Sequence, residues 1–539
     1  MRALLAALLT SAALTAAACS AQAPTATPPP PGTLTHTPAP TAGPPPAGTL
    51  RVAVTGAAPH LDLHRVVSEW ATLFGPGPAY SRLLRFVSGP RASLPSLAVE
   101  CDLCEEWRVV DALTYEFDLH PEARWQDAEG FASRLLTPQD VVFSLKRLRA
   151  DGSPHASLLA AVDGITIIGA RTVRLSLRYP DADLPQKLAS PYAVVLAPDA
   201  LDGVDVRSGR VVGSGPWRFE QKLSGGVELT AWEGYFRPGE PAASAVVFQP
   251  AVRADVAAGL LRSGRVDMAR VSEEEWRALP AGEFRSVVVQ RQGRGIVLGL
   301  NARRAPFDDA RVRRAAFLAL DPHAALAEVF GIGMVGIGVP LIDPSWALDE
   351  GTLRAAFADP EGAAALLREA GDARPSITLV VANFGPAYLA HGEALAADLR
   401  GAGFDVRVEP VSRNAYLTRV WRERDFDAFV GPLPPTDTTS AFLLSLLHSE
   451  GSSNVTGAAD AALDDLIERQ AAETDVRARG ELVRAAQEAA LEGAWLFMPV
   501  ITAERWAFSA RIGGVVAAMP AGAGDLWKYV RVEEVAPGG

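Results

Sequence analysis

Polar and apolar residues alternate through the first half of the chain with the period of β-strands. The clearest alternating stretches are GTLRVAVTG (48–56), LTYEFDL (113–119), TVRLSLR (172–178), and the pair WRFEQKL (217–223) and VELTAWE (227–233), which flank the turn residues SGG (224–226). Alternation of this kind predicts strands with one buried face. The SGG turn predicts that the last two strands form a hairpin.

From about residue 309 onward the apolar period becomes that of amphipathic helices. The helical stretches are DARVRRAAFLAL (309–320), PEGAAALLREAG (360–371), YLAHGEALAADLRGAG (388–403), ADAALDDLIERQ (459–470) and VRARGELVRAAQEAALEG (476–493). The strands SITLVVA (376–382) and DVRVEPV (405–411) lie between them. This alternation predicts an α/β lobe, and its contrast with the strand-rich first half predicts two lobes with a cleft between them.

The first half also contains one clear helix, TPQDVVFSLKRLR (137–149). Thr137 is a favoured N-cap residue, and Pro138 follows at the first helical position, where its missing N–H is harmless. These two residues predict where the helix begins.

Composition places the chain among large globular proteins. Its 539 residues are 48% hydrophobic and 21% charged. At that length we expect about two to four domains. The formal charge of −12 argues against a general electrostatic attraction to nucleic acid or anionic lipid, and it suits solubility.

The amino terminus indicates export. Arg2 and an apolar run precede Ala16-Ala17-Ala18-Cys19, which predicts a signal peptide at 1–18. Small residues directly before a cysteine resemble the lipobox of bacterial lipoproteins, and this resemblance implies lipid modification of Cys19. Position 16 is Ala instead of the usual Leu, and ordinary cleavage after Ala18 is the alternative. Residues 22–48 hold ten prolines and predict an extended tether, so a lipid anchor is the only membrane contact we expect.

A search for catalytic motifs finds no GxSxG, HExxH or GxxxxGK[ST]. GIGMVGIG (331–338) fits GxGxxG, but it follows a helix instead of a strand, which predicts a post-helical loop. His60 and His64 flank Asp62, and loop histidines are a better interpretation than a metal site. We therefore predict a protein that is not an enzyme and that holds no metal or cofactor.

Several strings, taken in order, resemble one protein family. They are GTLRVAVTGAAPHLD (48–62), EEWRVVDALTYEFDLHPEARWQDAEGF (105–131), LTPQDVVFSLKRL (136–148), GSGPWRFE (213–220), LNARRAPFDDARVRRAAFLALDPHAAL (300–326), SNVTGAADAALDDLIERQ (453–470) and AAQEAALEGAWLFMPVITAERWAF (485–508). Together they resemble family 5 extracytoplasmic solute-binding proteins, the oligopeptide and dipeptide binders of ABC importers.

The resemblance implies an α/β fold of the two-lobe periplasmic-binding-protein (Venus flytrap) type, with an extra inserted subdomain. The implied segments are a signal peptide (1–18), a lipid-anchored Pro-rich linker (19–48), lobe I (49–80, 200–290 and 508–535), the inserted subdomain (81–199) packed on lobe I, and lobe II (291–507). The chain would cross between lobes near VLGLN (297–301) and PVITAER (499–505), both predicted strands.

The resemblance also implies a function. A peptide, or another small solute such as a sugar or nickel complex, would close the lobes around itself and pass to the permease subunits of an ABC importer outside the cytoplasm. A receptor-like sensing or capture module for a non-peptide ligand is the alternative. We expect a monomer.

The resemblance implies one anchoring carboxylate, because peptide binders of this family pair an Asp with the ligand ammonium. Asp437, in FDAFVGPLPPTDTTSAFL (426–443), is the position that we match to it, although the family's aromatic-rich stretch is replaced there by prolines. The other predicted cleft residues are Pro59, His60, Gly213, Ser214, Gly215, Trp217 and Asn301.

Cys101 and Cys104 form a CxxC whose spacing alone fits a redox centre, half of a metal site or a disulfide. Export favours a disulfide, because that compartment is oxidising. A thioredoxin-like centre needs a helix after the pair, and here a predicted strand follows. A zinc site needs four ligands, and the chain has no second Cys pair.

Overall fold

The computed structural model describes residues 45–533, apart from 90–91, 94–95, 202–206, 208–209, 223–224, 373, 435 and 516–523. The predicted signal peptide, Cys19 and the predicted linker up to residue 44 lie outside the described residues. Within the described part, no helix combines the length and apolar character needed to cross a membrane.

Nineteen strands are described. They are β1 Thr49–Thr55, β2 Leu84–Phe86, β3 Val99–Cys101, β4 Cys104–Asp111, β5 Thr114–Leu119, β6 Val162–Ile167, β7 Thr172–Leu177, β8 Trp217–Gln221, β9 Val227–Ala231, β10 Ala245–Ala251, β11 Met268–Val271, β12 Phe284–Leu300, β13 Met334–Gly336, β14 Ser376–Ala382, β15 Asp405–Val411, β16 Ala428–Pro432, β17 Leu496–Ser509, β18 Ile512–Gly513 and β19 Arg531–Val532.

The described α-helices are α1 Glu69–Leu73, α2 Pro138–Leu148, α3 Leu184–Leu188, α4 Ala254–Arg262, α5 Glu273–Arg277, α6 Ala310–Ala319, α7 Pro322–Val329, α8 Glu350–Ala355, α9 Pro360–Ala370, α10 Pro386–Gly401, α11 Arg413–Tyr416, α12 Thr439–Phe442, α13 Ala461–Ala472 and α14 Val476–Gly493. Two π-helical segments, Leu417–Glu423 and Leu443–Leu447, continue α11 and α12.

One sheet of eleven strands organises the fold, in the order β15-β14-β16-β12-β17-β11-β1-β10-β9-β8, with β13 attached to β17. β1 runs parallel to β10 and β11, and β14 runs parallel to β15 and β16. Four antiparallel strands, β4-β5-β7-β6, form a separate sheet between β1 and β8 in the chain. The predicted mixed α/β architecture is confirmed.

β12 and β17 form a long antiparallel ribbon at the centre of the large sheet. The first part of β12, Phe284–Gln290, pairs with Ser509–Ala503 of β17. The same part of β17 pairs with β11 along its other edge. The last part, Ile296–Leu300, pairs with β16 on its other side. The register jumps between these parts, so residues 291–294 form a bulge in β12.

Among the described residues, the buried apolar side chains form one large cluster and three smaller ones. The large cluster joins the predicted inserted subdomain, including Trp125, to the predicted second lobe, including Phe497. The inserted segment also contacts the predicted first lobe, where Arg82 pairs with Asp525 at 2.6 Å. It therefore contacts residues of both predicted lobes.

The local sequence signals gave the correct elements. α2 begins at Pro138 with Thr137 as N-cap, and β8 and β9 pair as the predicted hairpin. The GxGxxG stretch does follow a helix, α7, but it is not simply a loop, because Met334–Gly336 forms the short strand β13 against β17. A disulfide joins Cys101 at the end of β3 to Cys104 at the start of β4.

The buried imidazole of His391 predicts a pH-dependent stability. His391 is fully buried in α10, neither ring nitrogen has a hydrogen-bond partner among the described residues, and burial lowers its pKa to about 4. The unfolded chain binds this proton near pH 6.5, so it holds more protons than the folded chain between pH 6.5 and 4.

We therefore expect stability to fall as pH drops from 6.5 to 4, with His391 contributing about 3 kcal/mol at most. Urea unfolding of the wild type and of His391→Leu across this range measures that contribution. The variant should lose less stability towards pH 4, whereas parallel curves would contradict the assignment.

Candidate functional site

The candidate site lies where the carboxyl ends of β1 and β11 meet the bulge of β12. The carboxyl edge of parallel strands is where α/β sheets bind ligands, because backbone and loop groups converge there. Two neighbouring cavities open at this edge, and they share four lining residues, Thr55, Phe74, Arg270 and Trp506. Thr55 ends β1, whereas Arg270 and Trp506 are cross-strand neighbours on β11 and β17.

The first cavity has a volume of about 120 Å³ and a balanced set of charges. Arg291, only 8% exposed, comes from the bulge and pairs with Glu69 of α1 and, at 3.7 Å, with Glu504 of β17. Glu504 also pairs with Arg270 at 2.8 Å. Burial opposes the charge of Arg291, but the carboxylates of Glu504 and Glu69 raise its pKa above the ordinary value.

Aromatic rings form the floor beneath these charges. Phe74, the residue after α1, lies 6.3 Å from Trp506 and 5.3 Å from Phe248, ring centroid to ring centroid. Trp70 and Trp506 line the first cavity, and the indole N–H of each is buried without a hydrogen-bond partner among the described residues. The cavity therefore has an aromatic floor, and the two indole nitrogens are enclosed within that floor.

Asp437 faces this region from the other part of the sheet. Its side chain is 60% exposed and lies 3.5 Å from Arg294 of the bulge. The Asp437 charge also acts on Arg291, His155 and Tyr192. Burial lowers the pKa of His155, and the Asp437 carboxylate partly opposes that shift. Asp437 thus contributes one accessible carboxylate to a cleft that also holds arginines.

The backbone around Asp437 is fixed by a buried polar network. Asp183, the N-cap of α3, accepts from the Ser440 backbone N–H at 2.8 Å and from the Arg479 guanidinium at 2.5 Å. Arg479 also donates to Ser440 Oγ and to Gln470. Burial would raise the pKa of Asp183, but the charge of Arg479 holds it below the ordinary value. This network, which we call the α3 clamp, binds the inserted segment to α12–α14.

The predicted segment Gly213–Trp217 is a packing joint. Gly215 donates its N–H to the Ala79 carbonyl at 2.9 Å, and a Cβ on Gly213 would lie 1.8 Å from that same oxygen. The Gln126 side chain donates to the carbonyls of Gly215 and Trp217. Ser214 and Trp217 are almost fully buried. The glycines allow close backbone approach here.

The remaining predicted cleft residues occupy different surroundings. The Asn301 amide is buried and donates to the Phe426 carbonyl at 2.9 Å, so it braces the start of β16. Pro59 is exposed in the loop after β1, and half-buried His60 accepts from the Asp62 backbone N–H at 3.3 Å. Asp62 itself pairs with Arg147 at 2.6 Å. No group of residues suited to a metal ion occurs among the described residues.

The residues that sequence reasoning missed are Glu69, Trp70, Arg270, Arg291, Arg294, Glu504 and Trp506. QRQGR (290–294) carried a detectable signal, because two arginines interrupt an otherwise apolar strand pattern beside Gly293 and Gly295. A break of this kind is typical of a bulge that turns side chains out of the sheet.

The chain matches the model of one known protein family, described as bacterial extracellular solute-binding proteins, family 5 Middle, over residues 98–454. Among curated proteins it is similar to a dipeptide-binding protein of Escherichia coli (strain K12), with 26% identity over 456 residues. That match covers 76% of this chain and 81% of the relative.

Two solved structures show the same fold. The structure of HbpA2 from Haemophilus parasuis has a TM-score of 0.77 at 20% identity and covers 90% of this chain and 100% of its own. The structure of a nickel ABC transporter protein from Bacillus halodurans has a TM-score of 0.72 at 18% identity and covers 88% of this chain and 98% of its own. The predicted periplasmic-binding-protein fold is confirmed.

The α3 clamp predicts strong coupling between its two charges. Arg479→Met should lower the free energy of unfolding by about 3–5 kcal/mol, because it leaves the Asp183 charge buried without a partner. Adding Asp183→Asn should restore part of that loss. Urea unfolding of both single variants and the double variant measures the coupling, and simple additivity would contradict it.

Two glycine substitutions, one in the packing joint and one in α4, are expected to have opposite effects on stability. Gly213→Ala should destabilise the protein by about 1–3 kcal/mol, because its Cβ collides with the Ala79 carbonyl. Gly259→Ala, in α4 with open space around the added methyl, should stabilise by up to about 1 kcal/mol. Thermal unfolding compares the two variants, and equal effects would refute the close contact.

Proposed function

The chain belongs to the bacterial extracellular solute-binding proteins of family 5, and from that premise we propose that it captures a small solute, with a peptide as first candidate, and delivers it to an ABC import permease. The observation that supports this function best is the cleft at the bulge of β12, which combines paired charges, donors and an aromatic floor. The family consists of solute-binding proteins, and no bond chemistry is part of the proposal.

Capture would proceed by hinge closure of the ribbon. The bulge at 291–294 interrupts the β12–β17 ladder between the two parts of the sheet, so fewer backbone hydrogen bonds oppose bending there. A solute that contacts residues on both sides of the bulge stabilises the closed form by its greater affinity for that form. In this proposal the second lobe runs from residue 291 to residue 507.

The cleft charges suit a solute that carries charges of both signs. Asp437 would pair with the ligand ammonium. Arg294 would then leave Asp437 and donate a hydrogen bond to an acceptor atom of the ligand. Both groups are exposed enough to reach a ligand, because their side chains are 60% and 44% accessible. Pro59 and His60 would contact the solute from the loop after β1, whereas Gly213–Trp217 and Asn301 would act by holding the cleft walls in place.

The rest of the proposal concerns location and partners. Relatives in this family work outside the cytoplasm, and we place this chain there, anchored through a lipid on Cys19. It would act as a monomer whose closed form docks on the permease.

A non-peptide solute is the second candidate. Pro432 and Pro434 precede Asp437 and leave fewer backbone N–H groups for pairing with a peptide main chain. The similar structure from Bacillus halodurans is named for nickel transport. A sugar or metal complex in the same cleft would make the protein a receptor or capture module for that solute.

Mass spectrometry of solutes released from natively purified protein separates these candidates. Free peptides at near-stoichiometric amounts would support the first candidate. A sugar or a metal chelate would support the second. Hydrolysis of a peptide or glycoside panel by the purified protein would contradict both.

The Asp437 anchor predicts a loss of affinity for cationic ends. Asp437→Asn should weaken binding of a dipeptide about tenfold, because one charge-assisted hydrogen bond is lost. Asp425→Asn is the matched control, since its carboxylate is equally exposed but pairs with Arg304 away from the cleft. Isothermal titration calorimetry measures both, and unchanged affinity in Asp437→Asn would reject the anchor.

A further inference from the structure

Val67 is an exposed apolar residue close to the first cavity. It lies in the short segment between the loop after β1 and the start of α1, and it is 72% exposed, whereas Val66 before it is 2% exposed. Glu69 and Trp70, which follow in α1, both line the first cavity. Val67 therefore presents uncovered apolar surface beside that cavity.

The backbone on both sides of Val67 is held in place, which distinguishes it from an ordinary exposed valine. The Val66 carbonyl accepts a hydrogen bond from His155 Nε2 at 2.7 Å, and the Ser68 backbone N–H donates to the Tyr192 hydroxyl at 3.1 Å. His155 and Tyr192 both belong to the predicted inserted subdomain. Their rings stack with centroids 3.9 Å apart and planes inclined by 15°. This stacked pair fixes Val67 in its exposed position.

The Tyr192 hydroxyl has a proton that it can donate to a ligand. A phenol accepts and donates hydrogen bonds, and here it accepts from Ser68 while no acceptor for its own proton occurs among the described residues. Burial raises the pKa of Tyr192 above its ordinary value, against the opposing effect of the Ser68 N–H, so the phenol keeps its proton at neutral pH. The side chain is only partly buried, which leaves it open to contact with a solute.

The exposed charges of the cleft surround this tyrosine. The Asp437 charge acts on both Tyr192 and His155, and the Arg294 and Glu69 charges act on Tyr192 as well. The side chains of these three charged residues are 60%, 44% and 38% exposed, respectively. Tyr192 therefore lies where the proposed ammonium anchor, the bulge of β12 and the start of α1 come together.

We propose that Val67 and Tyr192 contact the first residue of a captured peptide, with Val67 packing against an apolar side chain and the Tyr192 hydroxyl donating to the carbonyl oxygen. We call these two residues the amino-end contact. The ammonium, the side chain and the carbonyl group of a first residue are all attached to one carbon atom, so Asp437, Val67 and Tyr192 bind them together. The proposal rests on the proposed function, because Asp437 holds the ammonium there. It assigns the solute class as peptides with an apolar first residue.

Calorimetry with two dipeptides, Leu-Gly and Gly-Gly, tests the part played by Val67. The wild type should bind Leu-Gly at least about fivefold more tightly, because contact with Val67 removes the apolar surface of the leucine side chain from water. Val67→Ser should reduce this preference at least about threefold, and Val110→Ser, at a valine that is 50% exposed in β4, is the matched control. Equal affinities, or a preference that survives Val67→Ser, would overturn the contact and leave the proposed function intact.

A thioamide form of Leu-Gly tests the Tyr192 hydrogen bond, because sulfur is a weaker acceptor than the oxygen it replaces. The wild type should bind the ordinary peptide at least about threefold more tightly than the thioamide, and Tyr192→Phe should bind the two alike. Tyr179→Phe, at a tyrosine that is 51% exposed after β7, is the matched control. If Tyr192→Phe weakens both ligands and keeps the difference between them, the tyrosine only supports Ser68, and the hydrogen bond to the solute is rejected.

Failure of both dipeptides to bind would count against the peptide form of the proposed function, and leucinamide then decides the amino-end contact. This small molecule carries the ammonium, the apolar side chain and the carbonyl oxygen. Methyl NMR of valine-labelled protein identifies the Val67 signals by their loss in Val67→Ser. A shift of these signals with leucinamide but not with glycinamide supports the contact. Unchanged signals, or the same shift with both compounds, overturn it.

Discussion

The pairing of β12 with β17 is the constraint on which the rest of the structure depends. These two strands are the central members of the large sheet, and strands from both parts of the molecule add to their two edges. A continuous ladder would hold the two parts rigidly together, because each backbone hydrogen bond resists bending. The bulge at 291–294 interrupts the ladder at one level, and Gly293, with a φ of +66°, adopts the left-handed backbone that such an interruption requires. The same break turns Arg291 and Arg294 towards the cleft.

The charged side chains of the cleft occur in pairs. Arg291 and Arg270 share Glu504, and Arg294 lies beside Asp437, so each of these charges has a partner. Pairing avoids the large cost of a buried charge that has no partner. The buried indole N–H of Trp506 differs in this respect, because it has no hydrogen-bond partner among the described residues.

The sequence predicts local elements well because their signals are local. Thr137-Pro138 places the start of α2, and the predicted strand SITLVVA matches β14 residue for residue. The site was predicted less well, because its geometry depends on contacts distant in the chain. Glu69 and Arg291 are separated by 222 positions, and no periodicity reports that they meet. The role of a glycine also depends on contacts that are distant in the chain. Gly213 looked like a cleft residue in a family motif, whereas its role in the structure is to admit the Ala79 carbonyl.

The length of chain between the ribbon strands has a consequence for folding. Phe284 of β12 pairs with Ser509 of β17, so the ribbon closes only after more than two hundred intervening residues are available. Residues 301–495 hold β14–β16 and most helices and can form many of their own contacts first, whereas β11 lacks its neighbour β17 until the ribbon closes. Such distant pairing makes folding slow and leaves sheet edges exposed during synthesis. A chain that stops before β17 would therefore lose the ribbon and expose both parts of the central sheet at once.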